Sequence, residues 1–388
     1  MKKYLILLFS TFILLVLGAT YTYSVFLESF TGAFGISKSV ASIPFSIFLF
    51  CYAMGMGVAG KLYSKYSPRI LTFLGGGCFA LGFILSSFTQ NIFQLSITYG
   101  LLSGFGLAFA YVTPITLVSQ WFVDKKGLTS GIVISAFGLG SFFLSPLSNN
   151  LLNKIGWRNT LRYEGIIFLL IIVLSSLILE RPKEENNKVL NKENKITVTY
   201  LFKNKTFIRI WVSYVVALTT GLMIMGHIIP IAKEIGFNPS KGAVLISIIA
   251  IFNALGRITI GVLGDRFSGT KMLSILYFLQ GVVFVLFLLA YKLPILLYIS
   301  VILFGFNFGG WLVLYPIVSS EYFGIESLSA VYGILFSSYG IAGLLGPICI
   351  SFLQSIFGSY IIPFQISSAL CIFAFIILLP LKNKGLYS

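Results

Sequence analysis

Charge is scarce in this 388-residue sequence: Asp, Glu, Lys and Arg make up 10% of it, against 57% hydrophobic residues. That is too little polar surface for a soluble globule of this length, so the chain belongs in a bilayer. Acids are rarer still, 11 against 27 bases, with one histidine, His227. A polytopic membrane enzyme would need a Ser–His pair, two embedded aspartates or a His/Glu metal cluster. With no paired mid-span carboxylates and a single histidine, that class is a remote alternative, and neither metal nor cofactor is expected. Glu28 and Glu321 fall at helix ends, and no acid is expected deep within a span. The four cysteines, Cys51, Cys78, Cys349 and Cys371, sit in separate apolar stretches without the close pairing of a metal site or disulfide framework. The net charge of +16 is scattered through short connectors and forms no arm, which excludes nucleic acid as a partner.

What the sequence does have is long apolar runs. Bounded by charges, turn residues and polar clusters, they predict twelve membrane spans near 4–30, 40–63, 69–89, 92–121, 127–152, 159–180, 206–232, 241–264, 271–291, 293–320, 327–356 and 359–381. The opening "MKKYLILLFSTFILLVLGAT" imitates a secretory signal, but apolarity continues through Phe26, so it reads as an uncleaved first span. One connector is long and charge-rich. It divides the chain into an N-terminal bundle (1–180), a cytoplasmic linker (181–205) and a C-terminal bundle (206–388), six spans on each side. With both termini inside, nineteen Lys and Arg residues face the cytoplasm and seven the exterior, with Arg257 within a span. The positive-inside rule therefore orients the chain as a multi-pass cell-membrane protein with both ends cytoplasmic.

The halves resemble each other at an offset of 201 to 202 residues. Gly60 aligns with Gly261, Ser64–Lys65 with Asp265–Arg266, and "GIVISAFG" at 131 with "GILFSSYG" at 333. Duplication of this kind implies an all-α fold of two six-helix bundles related by a pseudo-two-fold axis, with a substrate site at mid-membrane between them. Spaced glycines such as Gly100 and Gly104, or Gly305 and Gly309, are expected at close helix crossings.

Arg257, inside "FNALGRITIGVLGDRFSG", carries a permanent charge in the eighth span. A central arginine costs at least ~2.5–3.5 kcal/mol on insertion scales. Snorkelling towards Asp265, about 12 Å away along a helix axis, is one compensation. A structural ion pair is another, and an anion bound in a cavity is the third. Guanidinium suits the last, because its planar fork pairs with a carboxylate through two parallel hydrogen bonds.

The stretch "YVTPITLVSQWFVDKKGLTSGIVISAFGLGS" (111–141), the first-span "GATYTYSVF" and the loop "GVLGDRFSG" resemble the major facilitator superfamily, and within it the monocarboxylate porter family, especially its oxalate/formate exchanger-like branch. The resemblance implies the major facilitator fold and alternating access. It maps Arg257 to the arginine that engages substrate carboxylate in that family, and "GVLGDRFSG" to the superfamily's Gly-x-x-x-Asp-Arg motif, which makes Gly261, Asp265 and Arg266 conformational residues. The first-half copy, "GKLYSKYSPR", carries Ser64 in place of the acid. Asn253, four residues before Arg257, stands where proton-coupled members carry an aspartate; an amide orients the arginine but does not titrate. Tyr339 stands where oxalate exchangers carry a second cation. One cation suits a monoanion, so the expected substrate is a small monocarboxylate, with a counter-transported anion or a proton as the coupled species. A dicarboxylate exchanger and an efflux carrier for another small molecule are the alternatives within transport.

Tyr21, Tyr23, Tyr111, Trp311, Tyr315 and Tyr332 complete the expected binding set as an aromatic cage. His227, three residues before Pro230, is a candidate pH-sensitive gate. Beyond the solute and membrane lipids no partner is expected, and the chain is expected to act as a monomer.

Overall fold

The computed structural model describes residues 2–182, 196–237 and 239–381; most of the expected linker, 183–195, lies outside the described residues. Apolar runs of this length become helices because a bilayer leaves backbone N–H and C=O groups no partner except one another. Among the described residues, eleven helical stretches are long and apolar enough to cross a membrane. One of them, Val123–Ser176, holds two spans joined at Gly156, whose φ of 77° and ψ of 163° only glycine adopts readily. Twelve spans result: α1 Lys2–Phe34, α2 Ile43–Lys65, α3 Pro68–Ser86, α4 Ile92–Trp121, α5 126–155, α6 157–176, α7 Lys205–Glu234, α8 Pro239–Arg266, α9 Gly269–Leu289, α10 Ile295–Phe323, α11 Ile325–Phe357 and α12 Ile361–Leu378. Every expected boundary falls within four residues of these.

Local chemistry sets several helix starts. The Ser67 hydroxyl accepts from the Ile70 N–H at α3, where Pro68 takes the first turn. Asn91 caps α4 through the Gln94 N–H, and Asn204 caps α7 through the Thr206 and Phe207 N–H groups. Three spans are irregular in mid-course. In α1 the residues Gly18–Thr22 tighten to a 3-10 turn, and in α4 the residues Ser96–Ser103 widen to a π-helix. In α11 the helix interrupts at Phe336. Such departures recur at functional positions.

The chain forms two compact units. The first comprises Met1–Ile196 and Ile325–Ser337; the second comprises Thr197–Gly324 and Ser338–Ser388. The unit boundary therefore runs through α11 at its interruption, whereas the duplication assigns the whole of that span to the second half. In the first unit the opening turns of α11 pack on α2, where Gly60 lies against the Ser329 carbonyl and Gly333 against that of Met56.

Candidate functional site

Asn253 and Arg257 lie one helical turn apart on α8, and both are buried, at 8% and 7% exposure. Glycine places them. A Cβ on Gly305 would come 2.7 Å from the Ile249 carbonyl oxygen, and one on Gly309 would overlap that of Asn253. From the α8 side, Gly256 abuts the Phe306 carbonyl in the same way. The two backbones touch along this seam, so α10 fixes the height and rotation of the residues on either side of Gly256. The expected close crossing at Gly305 and Gly309 is thus the support for the arginine.

The remaining candidates of the second unit divide. Tyr339, on the second segment of α11, is 9% exposed. Tyr315 is fully buried; its hydroxyl lies 2.8 Å from Ser213 Oγ and 2.5 Å from the Tyr277 hydroxyl, and its ring stacks on Tyr214 at 3.8 Å. Trp311, equally buried, packs against Tyr277 and Phe308. Both are thus held by contacts within this unit. An aromatic residue mid-span has the same sequence signature whether it lines a site or packs a core.

In the first unit, Tyr21, Tyr111 and Tyr332 come together through aromatic residues not among the candidates. Tyr21 meets Phe137 at 5.5 Å, Phe137 meets Tyr111 at 5.0 Å, and Tyr111 meets Tyr52 at 5.6 Å. Phe336 joins Tyr52 at 5.0 Å, Tyr111 at 6.0 Å and Tyr332 at 5.8 Å. These separations are those of edge-to-face and offset ring pairs. Tyr21, at 38% exposure, is the open end of the chain of rings, and the others are buried. A signal for Phe137 was available, since it is the repeat counterpart of Tyr339; Tyr52 and Phe336 had none.

Tyr23 belongs elsewhere. Two residues on from Tyr21 and so on the opposite side of the helix, its side chain lies in a separate cluster with Phe45 and Tyr99, where its hydroxyl donates to the Ala41 carbonyl at 2.6 Å. Its hydroxyl ties α1 to the residues before α2, apart from the Tyr21–Tyr111–Tyr332 cluster.

The expectation of no deep acid also needs correction. Glu164, on α6, is 3% exposed, and the Ser148 hydroxyl of α5 lies 2.5 Å from its Oε1. In sequence it follows Arg162 and Tyr163 and so reads as the polar edge of a span; packing of α5 against α6 encloses it.

The sequence matches the Major Facilitator Superfamily over residues 7–258 and again over 210–386. The chain belongs to this superfamily. Relatives include the uncharacterized MFS-type transporter YhjX of Escherichia coli, 27% identical over 84% of this chain and 82% of that one. Monocarboxylate transporter 13 of Bos taurus is 29% identical over 92% and 83%, and the oxalate:formate antiporter of Oxalobacter formigenes 23% identical over 85% and 79%. The last two are of the branch that the motifs resemble. Among solved structures, FucP in the outward conformation superposes with a TM-score of 0.74 at 17% identity, covering 99% of this chain and 100% of that one, which establishes the fold.

Of the superfamily's Gly-x-x-x-Asp-Arg motif, Gly261 is buried, Asp265 half-buried and Arg266 exposed. At its end, Glu321 of α10 accepts from the Gly269 N–H at 2.9 Å, placing a carboxylate on the start of α9, where the helix dipole favours it. In the first unit Ser64 donates only to the Lys61 carbonyl, 2.8 Å away on its own helix. Helix α2 is held by other means. Tyr63 donates to Gln120 Oε1 at 2.7 Å, and Arg181 donates to the carbonyls of Tyr63 and Tyr66, a cation at a helix C-terminus.

His227 is half-buried, with Nδ1 3.0 Å from the Tyr360 hydroxyl and Nε2 3.2 Å from Ser351 Oγ. Beyond it, Glu234 accepts from the Tyr291 and Ser359 hydroxyls and from the Tyr360 N–H. Burial and the nearby Glu234 charge push the Tyr360 phenol above its ordinary range, so it remains a neutral hydrogen-bonding group beside the imidazole. The network ties α7 to α11 and to the start of α12.

Proposed function

We propose that this superfamily transporter moves a small monocarboxylate across the cell membrane by alternating access, with Arg257 as the group that binds the carboxylate. The observation that carries the reading is an arginine only 7% exposed on a helix face held by a backbone-to-backbone glycine seam. A fixed, weakly screened guanidinium favours an anion with a planar two-oxygen head. Asn253 serves as its orienting amide, and Tyr339 supplies a phenol where a second cation would favour a dianion. The aromatic cluster of Tyr21, Tyr111 and Tyr332 is a separate contributor to solute binding. Gly261, Asp265 and Arg266, with His227, are the conformational residues, and both termini are cytoplasmic.

Relatives named as a monocarboxylate transporter and as an oxalate:formate antiporter support an organic anion, and the antiporter supports exchange. The same antiporter is the specific ground for a second reading, dicarboxylate exchange. Uptake into proteoliposomes tests the assignment. Arg257→Lys keeps charge but loses the bidentate fork, so uptake falls severely while insertion is retained. Near-normal uptake by Arg257→Ala refutes the carboxylate role. Substrate accumulation driven by a pH gradient alone and abolished by a protonophore replaces exchange with proton coupling.

A further inference from the structure

An apolar groove of 410 Å³ opens on the outside of the first unit, between α2, α3 and α4. Its walls include Tyr66 at the end of α2, Ile70, Leu74 and Cys78 of α3, and Phe105 and Phe109 of α4. Its floor is the crossing of α3 and α4, where a Cβ on Gly75 would come 2.5 Å from Phe109 Cβ. At its deep end it meets Leu101 and Leu102, which lie in the π-helical stretch of α4. From Ile70 to Cys78 is eight residues, about 12 Å along the axis. One leaflet of hydrocarbon is about 15 Å deep, half of a ~30 Å core. The groove therefore runs from one membrane surface to near the midplane and stops there.

Its mouth is basic. Lys61, Lys65 and Arg69 flank Tyr66 and Ile70 and are all exposed. None of the three side chains makes an ion pair or hydrogen bond among the described residues. Three arginines of this unit, by contrast, are already engaged. Arg158 donates to the Ser87 carbonyl and lies over the Trp157 ring, Arg162 lies over Phe88, and Arg181 caps α2. Because Arg181 already meets the carbonyl end of α2, the charges of Lys61, Lys65 and Arg69 remain available to an outside anion.

A chain-shaped apolar slot of one leaflet's depth with a cluster of uncommitted cations at its membrane-surface end matches one class of ligand. We propose that the groove binds an anionic glycerophospholipid, one acyl chain lying along α3 and α4 and the phosphate held by Lys65 and Arg69. Positive charge at the mouth selects an anionic headgroup over a zwitterionic one, and the dry slot selects a lipid over a free phosphate.

The test is native mass spectrometry of the full chain, delipidated in mild detergent and offered phosphatidylglycerol or phosphatidylcholine with identical acyl chains. The wild type is expected to retain one phosphatidylglycerol at an activation energy that strips phosphatidylcholine. Lys65→Gln with Arg69→Gln, both surface changes that leave packing intact, should reduce that retention about thirtyfold and remove the headgroup preference. Cys78→Trp, which fills the slot, should reduce binding of both lipids, while Lys292→Gln on another connector should leave the wild-type pattern. Unchanged phosphatidylglycerol retention in the double variant overturns the proposal even if Cys78→Trp fails to fold. A lipid-free dimer that Cys78→Trp disrupts overturns it equally, assigning the groove to a second copy of the chain.

Discussion

Substitution of Gly309 by alanine tests whether the glycine seam is what positions Arg257. A Cβ there would overlap the Asn253 carbonyl oxygen, a backbone atom with no rotamer to move away. An ordinary carbon–oxygen approach is about 3.3–3.6 Å, and at Gly305, one turn away on the same face, a Cβ would already be at 2.7 Å. The two helices must therefore separate along the stretch that carries Asn253 and Arg257. Overpacking of this kind costs about 1–3 kcal/mol. Replacing a helical glycine by alanine gains about 0.5–1 kcal/mol from backbone entropy, so, taking the middle of each range, the net loss is about 1 kcal/mol. Gly226, in α7, is the internal control, because a Cβ there meets nothing within 4 Å and only the gain applies. Thermal unfolding in detergent should show Gly309→Ala shifted down and Gly226→Ala unchanged or up. Carboxylate uptake at matched protein content should fall in the first variant alone. If Gly309→Ala unfolds at or above the wild-type midpoint and transports normally, the seam does not fix the arginine and its burial needs another cause.

Tyr339→Lys adds a second cation, so competition by an oxalate-like dianion should strengthen relative to formate- or lactate-like monoanions in uptake measured at one pH; an unchanged ranking removes residue 339 from the binding set. Glu164→Gln keeps the contact with Ser148 and should fold, whereas Glu164→Ala removes it; because the Ser148 hydroxyl still reaches the Leu144 carbonyl, 2.8 Å away on its own helix, the loss should be that of one net hydrogen bond, about 0.5–1.5 kcal/mol, read as a lower unfolding midpoint. Equal midpoints for the two variants would show that the Ser148–Glu164 contact contributes nothing to the fold.

Sequence by itself determined the number of spans, their limits and the superfamily. The reason is that a bilayer leaves helices as the only solution for an apolar run, and a charge or turn residue must mark each end. It also singled out Arg257, because a permanent cation in such a run stands out against everything around it. The duplication marked the glycines of the α8–α10 crossing, although not which backbone atoms they meet. Tertiary structure alone decided the direction in which each aromatic residue faces. With 20 tyrosines and 38 phenylalanines in the chain, type and spacing are the same for a ring in a binding set and one in a bundle core. Tyr23 and Tyr21, two residues apart, must face opposite sides of a helix, but only packing shows that Tyr23 is the one turned inwards to Ala41 and Tyr21 the one at an open edge. Trp311 and Tyr315 were drawn inwards by partners on α7 and α9, up to 102 residues away in sequence. Glu164 looked like the rim of a span because its chain neighbours are polar, and only the packing of α5 on α6 made it a buried acid. A helix in a bilayer is specified by its own composition, whereas the side chain it turns inwards is specified by the neighbours it packs against.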